Sequence, residues 1–169
     1  MPIYYSLHFS TFILLLYSRM DNTTLFIGAG LAIGLAGLGV GIWEGLIAQK
    51  SLQIMGKNPE MSWSFLVLTV LGIALTESAA IYGLIIALQI MGLDPATVSS
   101  WAVIGAGLAV GAAGFWSGVG EWFLVCGAMD AILRNPETKG KIMTYMILFL
   151  ALVESSAIYG LVVALSLLG

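Results

Sequence analysis

The sequence predicts an all-α membrane protein in which four transmembrane helices form two tandem helical hairpins. Three observations carry that expectation. Of the 169 residues, 60% are hydrophobic and 9% are charged, where a water-soluble domain carries roughly 25% charged residues. Four segments, 25–55, 63–91, 98–133 and 142–168, are long and apolar enough to span a bilayer, which takes about 20 residues. Finally, the second half of the chain repeats the first at a constant offset, with Gly28 matched by Gly105, Asn58 by Asn135 and Glu77 by Glu154, each 77 residues on.

Short polar breaks separate the four spans. Gly56-Lys57-Asn58-Pro59, Gly92-Leu93-Asp94-Pro95 and Arg134-Asn135-Pro136-Glu137 all read as turns. Links this short make consecutive helices antiparallel neighbours. Lys50, Lys57, Arg134, Lys139 and Lys141 flank the first and third turns, while the middle turn has Asp94 and no base. The positive-inside rule then puts the first and third turns in the cytoplasm and both termini outside, with Arg19 as the exception. Residues 1–19 hold an apolar run, 12–17, that is too short to span and lacks the basic start of a signal peptide. Met20 followed by Asp21-Asn22-Thr23-Thr24 reads as a helix start. The expected organisation is an N-terminal extension at 1–19, a first hairpin at 20–92 and a second at 93–169.

The repeat needs no gap, and about two positions in five are identical. Gly28-Ala29-Gly30-Leu31-Ala32 returns at 105–109, Asn58-Pro59-Glu60 at 135–137, and Ile81-Tyr82-Gly83-Leu84 at 158–161. Each copy has an even number of spans, so both insert the same way round. That argues against an inverted-repeat transporter and suits a ring of parallel units. The first helix of each pair is rich in small residues four apart: Gly30 and Gly34, Ala32 and Ala36, Gly37, Gly41 and Gly45, then Gly107 and Gly111, Gly114 and Gly118. Such spacing lets backbones approach closely, as at the crowded inner wall of a ring or in ordinary helix pairing. Phe115 and Trp116 interrupt the pattern in the second copy.

Ionisable groups deep in a span are costly and mark functional sites. Four stand here, Glu44, Glu77, Glu121 and Glu154, as two pairs related by the same offset. Glu44 and Glu77 are equidistant from the first turn. Both helices of a hairpin rise about 1.5 Å per residue, so each pair can meet at one depth. The competing reading for Glu44 and Glu121 is a solvated position near the cytoplasmic surface. Burial and a neighbouring carboxylate both disfavour the ionised form, so such a group can take up a proton and yield it to water or a cation. Ser78 and Ser155 put a hydroxyl beside each central glutamate, and Tyr82 and Tyr159 follow five residues on, where they can brace the carboxylate. An oxygen cage of carboxylates, hydroxyls and carbonyls suits Na⁺. Two ionised glutamates around one Na⁺ leave a net negative site, so one of each pair is expected to stay protonated.

With these residues in view, each repeat resembles the c subunit, or proteolipid, of rotary ATP synthases. The resemblance covers about 24–169 and rests on the glycine-rich first helix, the Asn-Pro-Glu turn and Glu-Ser-x-x-Ile-Tyr-Gly-Leu on the second helix. The loops look F-type, whereas the duplicated four-helix form is more typical of V- and A-type rings. The resemblance implies a homo-oligomeric ring turning against a stator a-type subunit that supplies an arginine. It implies an ion site shared between adjacent hairpins. One hairpin gives Glu77 with Glu44, or Glu154 with Glu121. The other gives Ser78, Tyr82 and the Leu75 carbonyl, or Ser155, Tyr159 and the Leu152 carbonyl. It also implies central-stalk contacts by Lys57, Asn58, Pro59 and Glu60 and by Arg134, Asn135, Pro136 and Glu137. The coupling ion is Na⁺ or H⁺, with Na⁺ favoured by the oxygen count; no organic cofactor and no catalytic site are expected. Keeping a carboxylate in both hairpins implies one ion per hairpin, a ratio that suits ATP synthesis. The expected setting is a prokaryotic plasma or inner membrane.

Other classes are set aside by composition. No basic cluster suits nucleic acid, and the single cysteine, Cys126, excludes an internal disulfide and a cysteine-based metal site. A channel-forming structural proteolipid and a small four-helix exporter remain as alternative functions.

Overall fold

The computed structural model describes the backbone of residues 2–169 and the side chains of residues 22–169. Helix α1 runs Pro2–Lys57, α2 Ser62–Thr76, α3 Ser78–Met91, α4 Ser100–Arg134 and α5 Lys139–Leu168. Single 3₁₀ turns at Pro59–Met61 and Pro136–Thr138 close the two hairpins. Proline fits there because the first turn of a helix needs no N–H from it. Among the described residues, four helical stretches, Asn22–Lys57, Pro59–Met91, Ser100–Arg134 and Pro136–Leu168, are long and apolar enough to cross a membrane.

The structure departs from the sequence expectation at two places. Helix α1 passes unbroken through the Asp21-Asn22-Thr23-Thr24 segment that reads as a start. A capping preference is worth about 1 kcal/mol, too little to stop a helix that no glycine or proline interrupts there. The standing of 1–19 as an extension falls on residues whose side chains lie outside those described. Second, the hydrogen-bond ladder of the second helix of the first hairpin is locally disturbed at Glu77, between α2 and α3, although Glu77 keeps helical dihedrals of φ −64° and ψ −25°. There the Ala80 N–H donates three residues back to the Glu77 carbonyl at 3.0 Å. The Ser78 hydroxyl donates to the Leu75 carbonyl at 2.7 Å, and the Thr76 hydroxyl to the Gly72 carbonyl at 3.0 Å. Such back-bonds compete with the helical ladder. Ser155 bonds the Leu152 carbonyl in the same way within the unbroken α5. The back-bond alone therefore does not disturb the ladder; Ser78 differs by also reaching across to the other hairpin.

Helices α1 and α4 share the most extensive interface, α3 packs on α1, α4 and α5, and α1 does not touch α5 among the described residues. The two glycine-rich helices thus stand side by side as one wall, with the second helix of each hairpin outside it. Glycines set the close approaches. A Cβ at Gly107 would meet the Gly28 carbonyl, and one at Gly111 the Leu31 carbonyl. Within each hairpin the same contact recurs at the repeat offset: Gly83 sits on Ala32 and Ala36, and Gly160 on Ala109 and Ala113.

The two copies of the wall are not identical in their side chains. Trp43 occupies the position that Gly120 holds in the second repeat. It stacks on Trp122 at 5.1 Å between ring centroids and meets Phe115 edge-on at 6.2 Å. Gly39 makes room for Phe115, whose Cα would lie 2.6 Å from a Cβ there. Two apolar clusters cap this layer. One, at the end with the C-terminus and the α3–α4 link, joins Leu25, Ile90, Val103 and Ala164; the other, at the end with the hairpin turns, joins Ile54, Phe65, Ile132 and Met146. Both hairpins therefore point the same way. Cys126 is half-buried against the second cluster.

Candidate ion-binding site

The four glutamates occupy one layer between those clusters, but the two pairs sit in different surroundings. Glu121 on α4 is completely buried, which rules out a solvated position for it. The Ser117 hydroxyl, one turn earlier, donates to Glu121 Oε1 at 3.1 Å and lies 3.4 Å from the Val153 carbonyl of α5. Thr76 of the other hairpin is buried beside the same carboxyl. The second oxygen, Glu121 Oε2, is buried and has no hydrogen-bond partner. A buried carboxylate oxygen without a donor is expensive.

Glu154 on α5 reaches into the same pocket across the hairpin boundary. Its Oε1 accepts the Tyr82 hydroxyl at 2.6 Å and lies 2.5 Å from Ser78 Oγ. Ser78 Oγ in turn lies 2.7 Å from the Leu75 carbonyl. Hydrogen bonds to a carboxylate are stronger than neutral ones, so this junction ties the hairpins together as well as shaping a site. The oxygens gathered here are carboxylate, hydroxyl and carbonyl, which suit a hard monovalent or divalent cation and not a soft one. No cluster of three or more His, Cys, Asp or Glu side chains exists among the described residues.

The structure therefore brings Glu121, Glu154, Ser78, Tyr82 and the Leu75 carbonyl together. The residues alone place Tyr82 to brace the glutamate of its own helix; it braces that of the opposite hairpin, because its side chain and Ser78 share the face turned toward α5. The other half of the expected set is not brought together within one chain. Glu44 Oε1 is buried without a partner. Glu77 is exposed, Ser155 bonds only its own helix, and Tyr159 is 66% exposed.

The turn residues Lys57, Pro59, Glu60, Arg134, Asn135, Pro136 and Glu137 are exposed at one end, with Asn58 half-buried and its side-chain amide donating to the Ile54 carbonyl at 3.2 Å. Nearby, Lys50 pairs with Asp130 at 2.8 Å, and Lys139 donates to Ser64 Oγ at 2.7 Å. Ser117 and Thr76 are the site residues that sequence reasoning missed. The signal was available: Ser117 precedes Glu121 by one helical turn, and the repeat puts Val40 and Val153 at the matching positions.

Comparison with known proteins agrees with this layout. The family model for the C subunit of ATP synthase matches twice, at residues 27–90 and 104–167. The chain is similar to the A-type ATP synthase subunit K of Methanocaldococcus jannaschii, 34% identical over 142 residues, which covers 84% of this chain and 60% of that protein. The chain thus spans little more than half the length of that relative. It is also similar to the chloroplastic ATP synthase c subunit of Cyanidioschyzon merolae, 51% identical over 73 residues, covering 43% of this chain and 90% of that protein. A like match is to the chloroplastic c subunit of Porphyra purpurea, 52% identical over 71 residues, covering 42% and 87%. Four membrane-length helices and two tandem matches to one hairpin family lead to one assignment: this chain is an integral membrane protein of the ATP synthase C-subunit family, carrying the family's unit twice.

Proposed function

We propose that this protein is an ion-translocating rotor-ring subunit of a membrane rotary ATP synthase or ATPase, carrying Na⁺ on its membrane-embedded glutamates, one ion per hairpin. The observation that carries the reading is the junction between hairpins, where Glu154 of one is held by Ser78 and Tyr82 of the other while Glu121 Oε2 is left buried and unpartnered. An ion held between two hairpins is carried by their interface, so every hairpin boundary in a ring is a site. Glu77 and Glu44 of one copy meet Ser155, Tyr159 and the Leu152 carbonyl of the next, completing the set that a single chain leaves divided. Two carboxyls around one Na⁺ balance when one keeps a proton.

The chain has no chemistry of its own to perform in this role. It holds the ion out of lipid, turns, and gives the ion up where a stator a-type subunit presents an arginine. The exposed turns at 57–60 and 134–137 meet the central stalk on the cytoplasmic side of a prokaryotic plasma membrane. Two working sites per chain favour ATP synthesis over hydrolysis-driven pumping.

Carbodiimide labelling of the purified assembly tests the ion. Added Na⁺ is expected to slow modification of Glu77 and Glu154. No protection by Na⁺ at any pH would make H⁺ the coupling ion.

A further inference from the structure

The repeat offset predicts two ion sites of the same kind, yet the side chains around them differ at two buried positions. In the site within the chain, Ser117 donates to Glu121 and Thr76 stands beside the same carboxyl. The matching residues for Glu44 are Val40, one turn before it, and Val153, which a neighbouring copy would bring up in place of Thr76. Val40 is buried in an apolar cluster with Ala79, so water does not replace the missing hydroxyl there. Each inner glutamate keeps one buried oxygen without a partner, Glu44 Oε1 and Glu121 Oε2, and only Glu121 has its other oxygen held by a hydroxyl one turn away.

Building on the rotor-ring and Na⁺ readings above, we propose that the ring carries two alternating, non-equivalent ion sites: a stronger Na⁺ site within each chain, tuned by Ser117 and Thr76, and a weaker one between chains, where Val40 and Val153 stand instead. The physical reason is the support given to the inner carboxylate. A hydroxyl that donates to a buried carboxylate offsets part of its desolvation and holds it in one rotamer. Valine offers neither effect. Ser117 and Thr76 act through Glu121, so both are positioning residues and need not touch the ion. The Ser117 hydrogen bond to a charged group, absent where valine stands, corresponds to an affinity ratio on the order of tenfold.

The test is carbodiimide labelling of the purified full-length assembly, read separately at Glu154 and Glu77 by peptide mass spectrometry across a Na⁺ titration. Half-protection of Glu154 is expected at about tenfold less Na⁺ than that of Glu77. Ser117→Val with Thr76→Val should move the Glu154 midpoint up to that of Glu77. The reverse pair, Val40→Ser with Val153→Thr, should move the Glu77 midpoint down and leave Glu154 unchanged. Each substitution places a residue that the other repeat already accommodates at the same position, so folding is expected to survive. Equal midpoints in the unmodified ring, or midpoints that ignore these substitutions, would overturn this proposal alone. Absent protection at both glutamates overturns it together with the Na⁺ reading, and an assembly that native mass spectrometry shows not to be a ring overturns it together with the rotor reading.

Discussion

Tyr82 and Ser78 each place an oxygen within 2.6 Å of Glu154 Oε1 from the opposite hairpin, and that choice of partner decides what a single substitution does. Removing the Tyr82 hydroxyl deletes a bond to a charged group worth about 1.5–3 kcal/mol. Tyr82→Phe is therefore expected to raise the Na⁺ needed to protect Glu154 by roughly tenfold, with no effect on Glu77 of the same chain. Peptide-resolved labelling checks this, and a loss at Glu77 instead of Glu154 would show that Tyr82 serves its own helix. Tyr159→Phe should do the converse. At the surface the stakes are smaller. The Lys50–Asp130 pair has both side chains partly exposed, so Asp130→Asn should change thermal stability in detergent by about 1 kcal/mol or less.

At the scale of helices, glycine position separates folding from assembly. Gly107, Gly111, Gly114 and Gly118 on α4 are packed against α1 or the aromatic layer. Their counterparts on α1, Gly30, Gly34 and Gly41, have nothing within 4 Å of where a Cβ would stand, and at Gly37 only the tip of Ile33 comes within 3.9 Å. The two sets are the same stripe, docked in one copy and open in the other. Gly111→Val drives a side chain into the Leu31 carbonyl and should destabilise the chain by about 1–3 kcal/mol. Gly34→Val meets empty space within the chain, so the protein should fold and insert normally yet fail to join its neighbour. Thermal stability with native mass spectrometry of both variants distinguishes the two effects; a normal ring from Gly34→Val would remove this face from the assembly.

Much of this helical layout is legible in the sequence. Span limits, turns and the parallel sense of the hairpins follow from hydropathy, Asn-Pro-Glu and the even number of spans per repeat. The pairing of Glu121 with Glu154 follows from their equal distance from a turn. What stays hidden is orientation about the helix axis. Hydropathy cannot say which face of an all-apolar helix meets which neighbour. Hence the local disturbance at Glu77 and the placement of Thr76 beside Glu121 emerge only from packing, whereas the reach of Tyr82 to the other hairpin is implied by the family resemblance and not by the residues alone. The stacking of Trp43 on Trp122 also lies beyond the repeat, since the repeat puts glycine at the counterpart of each.

For the whole molecule, three features of one chain belong together under the proposed function: a candidate site gathered between its hairpins, the residues of a second candidate site divided between its edges, and an open glycine stripe on α1. All three are resolved by a second copy placed as the second hairpin is placed on the first. The most direct measurement is a high-resolution image of the purified assembly in Na⁺. The expected result is a closed ring in which α1 and α4 alternate around the inner wall. Each Glu77 should lie against Ser155 and Tyr159 of the next copy, with a cation between Glu121, Glu154 and the Ser78 and Leu75 oxygens. A small open oligomer, or a ring in which Glu77 faces lipid away from Tyr159, would contradict it.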